Sequence, residues 1–252
     1  MVKKRIIPLL LFKNGRLVKG IEFSNFRETG KAESAIKIYS SQDADEIFLI
    51  NISDADYPKD AFLELIRLAS QECRMPLCVG GKVEDVKTVE LMLRNGADKV
   101  LINTMNYLNI NLLTKSSTNF GRQAITAGID VRRLEKRVML YSQNGKNPHE
   151  INLTDHIIKL QEGGCGEIFL NSIDHDGKMK GYDLSLIYPI KDVIKVPLIL
   201  GGGAGNFSHL YDALNIDIIS GVVCGSLFQF ADNNPIRARA YLKNQGIRMR
   251  NV

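Results

Sequence analysis

Val196-Pro-Leu-Ile-Leu-Gly-Gly-Gly-Ala-Gly-Asn206 is an apolar run that ends in three glycines and then enters the amphipathic stretch 207–214. The apolar run reads as a buried strand. The glycines allow a sharp turn and a close approach of backbone to ligand, and Asn206 is placed to cap a helix. A strand, a glycine turn and a helix N-terminus together aim N–H groups and a positive dipole end at an anion. Two readings stand at this point: a phosphate cradle, or a tight strand-to-helix turn that binds nothing.

The stretch occurs twice. Met75-Pro-Leu-Cys-Val-Gly-Gly81 matches Val196-Pro-Leu-Ile-Leu-Gly-Gly202 at an offset of 121 residues, and at the same offset Glu46-Ile-Phe-Leu49 matches Glu167-Ile-Phe-Leu170. With one residue of slippage, Val100-Leu-Ile-Asn-Thr104 lies over Val222-Val-Cys-Gly-Ser226. A half-chain repeat in 252 residues of alternating strand and helix predicts one α/β domain over residues 1–252. Its form is a (β/α)8 barrel with half-barrels of about 1–122 and 123–252. A doubly wound sheet, the competing architecture, does not predict such a repeat. The two glycine turns then face each other across one barrel mouth.

Composition narrows the class. A hydrophobic content of 44% is ordinary for a globular chain, and a formal charge of +5 is too modest for a nucleic-acid binder. The basic N-terminus lacks the apolar core of a secretory signal, and no apolar run reaches membrane-spanning length. Cys73, Cys78, Cys165 and Cys224 show no metal-ligand spacing; free thiols fit a reducing, cytoplasmic setting. No metal and no cofactor is implied.

Along the chain, strands are expected at 5–12, 46–52, 76–79, 99–103, 124–130, 167–172, 196–200 and 218–224. Helices are expected at 31–42, 59–73, 83–95, 108–120, 151–161, from 184 to about 194, at 207–214 and at 237–244. Residues 13–30 read as a long polar loop, either an active-site lid or a solvated basic segment. Residues 131–150 contain Asn144-Gly145, a hairpin signal, and predict a small β-hairpin at the mouth.

Functional residues of such a barrel gather at the C-terminal strand ends. Two groups there have anion-binding character: Gly81 and Lys82 with Asn103 and Thr104, and Gly202 and Gly203 with Gly225 and Ser226. Together they suit a ligand with a phosphate at each end. Asp130 closes an otherwise apolar strand; it is either a general acid or base or the partner of Arg132, Arg133 or Lys19. The repeat places Leu11 opposite it, so a chemistry that needs two carboxylates finds one. At the other strand ends, Arg5, Glu46, Lys99 and Glu167 form either a neutral ring across the barrel bottom or four solvated rim charges.

The motifs Arg5-Ile-Ile-Pro8, Lys13-Asn-Gly-Arg-Leu-Val-Lys-Gly20, Ala97-Asp-Lys-Val100, Ile129-Asp130, Asp174-His-Asp-Gly177 and Gly202-Gly-Ala-Gly205 resemble the cyclase (HisF) subunit family of imidazole glycerol phosphate synthase over nearly the whole chain. The resemblance implies a (β/α)8 barrel, a bis-phosphate substrate, and ammonia received from a HisH-like glutaminase docked at the barrel bottom. It implies that Arg5, Glu46, Lys99 and Glu167 gate the ammonia, that Asp98 lies at the glutaminase interface, and that Lys19 is the lid lysine. It makes Asp130 one of two catalytic aspartates and puts Asp176 and Gly177 in the substrate loop. The chain departs from the family pattern at Leu11 for the other aspartate, Asn51 for an aspartate, Lys82 for a phosphate-loop glycine and Asn171 for a threonine. Gate and docking face are kept while the reaction centre is altered. That combination resembles paralogues that work with a glutaminase and an N-acetyl sugar amidotransferase to amidinate surface sugars, which is the reading placed first here. Histidine-pathway cyclisation comes second, and a non-catalytic scaffold that only activates the glutaminase third.

Overall fold

The computed structural model describes residues 3–135 and 137–249. The elements in order are β1 (Arg5–Lys13), β2 (Arg16–Ile21), β3 (Ser24–Gly30), α1 (Ala32–Ser41), β4 (Ile47–Asn51), α2 (Lys59–Glu72), β5 (Leu77–Gly80), α3 (Val86–Arg94), β6 (Lys99–Ile102), α4 (Thr104–Leu108) and α5 (Ile110–Phe120). Then follow β7 (Ile125–Leu134), β8 (Arg137–Ser142), β9 (Asn147–His149), α6 (Leu153–Glu162), β10 (Glu167–Ser172), β11 (Leu198–Gly201), α7 (Phe207–Leu214), β12 (Ile219–Cys224), α8 (Ser226–Gln229) and α9 (Pro235–Asn244). Strands β1, β4, β5, β6, β7, β10, β11 and β12 pair in parallel, and β12 returns to β1, closing an eight-stranded barrel.

The apolar runs of the sequence are explained by this closure. On β1, Ile6, Leu10 and Phe12 face the helices and belong to the outer core. Ile7, Leu9 and Leu11 face inward and join Phe48, Cys78, Leu101, Phe169, Ile199 and Val223 in the barrel interior. Both faces of the strand are covered, so neither tolerates polar residues. Within the interior, the rings of Phe48 and Phe169 meet edge to face at 5.3 Å, a geometry that adds about 1 kcal/mol beyond area burial. Side-chain caps start several helices: Asn206 accepts from the His209 N–H, Asp85 from Thr88, Asn152 from Thr154 and Asp155, and Asn234 from Arg237.

Two expectations are corrected. Residues 13–30 are not a loop. Asn14 and Gly15, at φ 48° and 87°, make a tight turn after β1, β2 pairs antiparallel to β1, and β3 pairs antiparallel to β2. The helix expected from 184 to about 194 is absent; only a single 3-10 turn, Leu184–Leu186, forms there. Pro189 sits where that helix would run; it lacks an N–H and its ring clashes with the preceding turn. The hairpin expected within 131–150 is present as β8 and β9, which continue antiparallel from a lengthened β7.

Candidate functional site

The first charged cluster lies where β1, β6 and β10 begin, with Glu46 just before β4. Arg5 Nη1 is 2.6 Å from Glu46 Oε2, and Arg5 Nη2 also binds Glu167. Lys99 Nζ is 2.9 Å from Glu46 Oε1 and 3.1 Å from Glu167 Oε2. Cations and carboxylates alternate in a closed ring of four, so the solvated-rim reading is set aside. Burial pushes the Glu46 carboxyl up, and nearby Glu167 adds to this, against Lys99 and Arg5. Against their own desolvation, Glu167 and Glu46 hold Arg5 and Lys99 charged. Asp98, next to Lys99, is exposed; its Oδ2 accepts the Leu77 N–H at 2.8 Å, which fixes its direction.

At the opposite end, Asp130 is half-buried and pairs with neither arginine nor lysine. Arg132 turns to Asp174, Arg133 pairs with Asp183, and Lys19 pairs with Asp176. Asp130 instead accepts the Asn103 amide at 2.8 Å and the Asn171 amide at 3.1 Å. Burial pushes its carboxyl up to about 7; the Asn171 amide opposes this, the charge of Asp176 adds to it, and the Asn103 amide opposes it. A carboxyl that titrates near neutrality is suited to proton transfer.

That pKa carries a sign for stability. Between the unfolded value near 4 and the folded value of about 7, the folded state binds more protons, so stability falls as pH rises through this window. Asp130→Asn is expected to gain stability relative to the parent between pH 4 and pH 8, by about 4 kcal/mol at most. Urea unfolding at the two pH values reads the difference.

The β2–β3 hairpin folds over the second glycine turn. Lys19 is 2% exposed, and its Nζ lies 2.6 and 2.7 Å from the two oxygens of Asp176. Burial pushes the Asp176 carboxyl up, opposed by Lys19. The hairpin is also held by the Glu22 N–H on the Asp176 carbonyl at 2.9 Å. Gly177 fits so closely that a Cβ there would lie 2.3 Å from the Gly20 carbonyl oxygen. Beneath this hairpin, Asp176, Gly177, Gly202, Gly203, Gly225 and Ser226 line a cavity of about 10 Å³. That is room for about one water and too little for a phosphate. The buried Ser226 hydroxyl has no partner among the described residues.

The first turn opens with the same backbone conformation as the second. Gly81 at φ 87° and Gly202 at φ 84° both press against the neighbouring strand, where a Cβ would come within 2.0 Å of the Asn51 oxygen and 2.3 Å of the Ser172 oxygen. Lys82 takes a left-handed φ of 57° where the second copy has Gly203, a conformation that disfavours a side chain. The Thr104 hydroxyl accepts the Gln143 N–H at 3.2 Å, tying the mouth hairpin to the start of α4. The Asn103 amide nitrogen is engaged with Asp130 rather than turned to an anion. Sequence reasoning noted Asn171 only as a substitution for threonine and missed its bond to Asp130; its signal was the asparagine closing each strand beside Asp130's own.

The closed ring of eight parallel strands with alternating helices defines a (β/α)8 barrel, a fold whose functional residues gather at the C-terminal strand ends. The histidine biosynthesis protein family matches residues 5–233. The imidazole glycerol phosphate synthase subunit HisF of Chloroherpeton thalassium is 35% identical over 250 residues, 99% of this chain and all of that protein. The HisF subunits of Chlorobaculum tepidum and Flavobacterium johnsoniae are 35% and 32% identical with the same coverage. The chain belongs to the HisF family.

Proposed function

We propose that this protein is the ammonia-using synthase subunit of a glutamine amidotransferase pair. It takes ammonia from a HisH-like glutaminase docked under the charged ring and delivers it to a phosphorylated acceptor at the mouth. The observation that carries this reading is one barrel with a closed ring of Arg5, Glu46, Lys99 and Glu167 at one end and half-buried Asp130, its carboxyl pushed up, at the other. Between them lies an apolar interior of Ile7, Phe48, Leu101, Phe169 and Ile199. Such a bore favours neutral NH3 over NH4+, because an unpaired ion is far costlier to bury than a neutral molecule.

The names of the relatives favour the acceptor that the sequence reading placed second, the histidine-pathway bis-phosphate, with imidazole glycerol phosphate and AICAR as products. Asp130 is then the general acid and base, and Lys19 closes the lid. Gly81, Lys82 and Thr104 take one phosphate, and Gly202, Gly203, Gly225 and Ser226 the other. Surface-sugar amidination, with an N-acetyl sugar amidotransferase as further partner, is favoured by one observation: Leu11, 9% exposed, stands where a second carboxylate is wanted. Both readings place the protein in the cytoplasm. Among the described residues, no helix is long and apolar enough to cross a membrane.

The test is association with a HisH-like glutaminase, measured by size and by stimulation of glutamine hydrolysis. A complex with raised hydrolysis supports the reading, and two independent, unstimulated proteins overturn it. Within a complex, Asp98→Asn keeps the acceptor for Leu77 and removes the charge. It is expected to weaken association about 10-fold, mostly through the association rate at low salt.

A further inference from the structure

Asp130 lies on the middle one of three neighbouring strands, β6, β7 and β10, and the residues on either side each send it an amide. From the end of β6, Asn103 Nδ2 donates to Oδ2 at 2.8 Å; from β10, Asn171 Nδ2 donates to Oδ1 at 3.1 Å. We propose that Asn171 is a positioning residue for Asp130, completing with Asn103 a two-sided amide clamp that fixes the carboxylate plane across the mouth and favours its ionised form. This deepens the ammonia-using reading and rests on it only for the chemistry that Asp130 performs.

Each carboxylate oxygen receives one donor, so the group cannot rotate about Cβ–Cγ without losing both bonds. An ionised carboxylate only accepts, which fixes the amides: both NH2 groups face Asp130 and both carbonyls face away. The backbone makes room for the Asn171 arm: a Cβ on Gly201 would lie 2.8 Å from Asn171 Oδ1. Register sets Asn171 directly between Asp130 and Gly201, and at 5% exposure water does not compete for its bond. The far side of the Asn103 amide, its Oδ1, is buried with no partner among the described residues.

The other groups that bear on the Asp130 charge are few. Asp176, between β10 and β11, repels it and is itself paired with Lys19. Tyr107 on α4 feels its charge through a buried hydroxyl. Leu11 on β1 brings no charge. The clamp therefore supplies most of what opposes desolvation of the ionised form.

The test is a carbon-13 NMR titration of the aspartate carboxyl carbons in the full-length protein, with Asp130 assigned by its loss in Asp130→Asn. Asn171→Leu keeps the volume without the donor and is expected to raise the Asp130 midpoint by about 1 pH unit, because a hydrogen bond to a charged group is lost. Asn171→Thr returns one hydroxyl donor and is expected to recover part of the shift. An unchanged midpoint in folded Asn171→Leu, or a threonine that behaves as leucine does, overturns the clamp. Asn171→Ala carries the same expectation should the leucine variant fail to fold. The titration needs no substrate, so a failed clamp is distinguished from a failed ammonia reading, which shows only in turnover.

Discussion

Leu11→Asp is expected to raise ammonium-dependent cyclisation of the histidine-pathway bis-phosphate by about 100-fold or more, the usual worth of a positioned acid or base. Leu11 pairs with Ile50 on β4 and Val18 on β2 and belongs to the interior cluster that ends at the mouth. An aspartate there would share the mouth with Asp130 and restore a pair of carboxyls. Its surroundings, Leu9 and Val18 among them, are apolar, so desolvation would raise its pKa towards neutrality, where a proton donor works best. The same burial is expected to cost about 2 kcal/mol of stability, read as a lower thermal midpoint. A folded variant with no gain would mean that the mouth serves another acceptor, and the amidination reading would take precedence.

Glu46→Ala is expected to lower stability by about 3 kcal/mol, because it leaves two half-buried cations sharing one carboxylate. Glu46 is held on both sides, 2.6 Å from Arg5 and 2.9 Å from Lys99, and its side chain is 1% exposed. Glu46→Gln keeps the volume and one acceptor and should lose less. In the glutaminase complex, breaking the ring is expected to let glutamine hydrolysis continue while less ammonia reaches the mouth. Urea unfolding reads the first effect, and the ratio of glutamine consumed to product formed reads the second. An alanine variant as stable and as tightly coupled as the parent would remove the ring from the mechanism.

Much of this architecture is legible in the sequence because the physics is local. The strand at 167–172 stands where its apolar run places it, since a barrel strand is covered on both faces and turns only where glycine allows. The β2–β3 hairpin escapes the same reading. Ser24–Gly30 is mostly exposed and polar and shows no alternation, although Asn14-Gly15 carries the same turn signal as Asn144-Gly145. The break at Pro189 is visible in the sequence, but the surrounding apolar residues outweigh it when read for helical period. At the site, Asp130 stands out as a carboxylate on an apolar strand. Its partners do not stand out, because Asn103 and Asn171 reach it only through the order and register of three strands. The ring of Arg5, Glu46, Lys99 and Glu167 is similar: four charges at strand starts are visible, and their closure depends on the barrel.

The most direct measurement is conversion of the histidine-pathway bis-phosphate by the purified protein with ammonium supplied directly, which bypasses any glutaminase. The account expects slow formation of imidazole glycerol phosphate that disappears in Asp130→Asn and accelerates in Leu11→Asp. No product from either the folded parent or folded Leu11→Asp would contradict it.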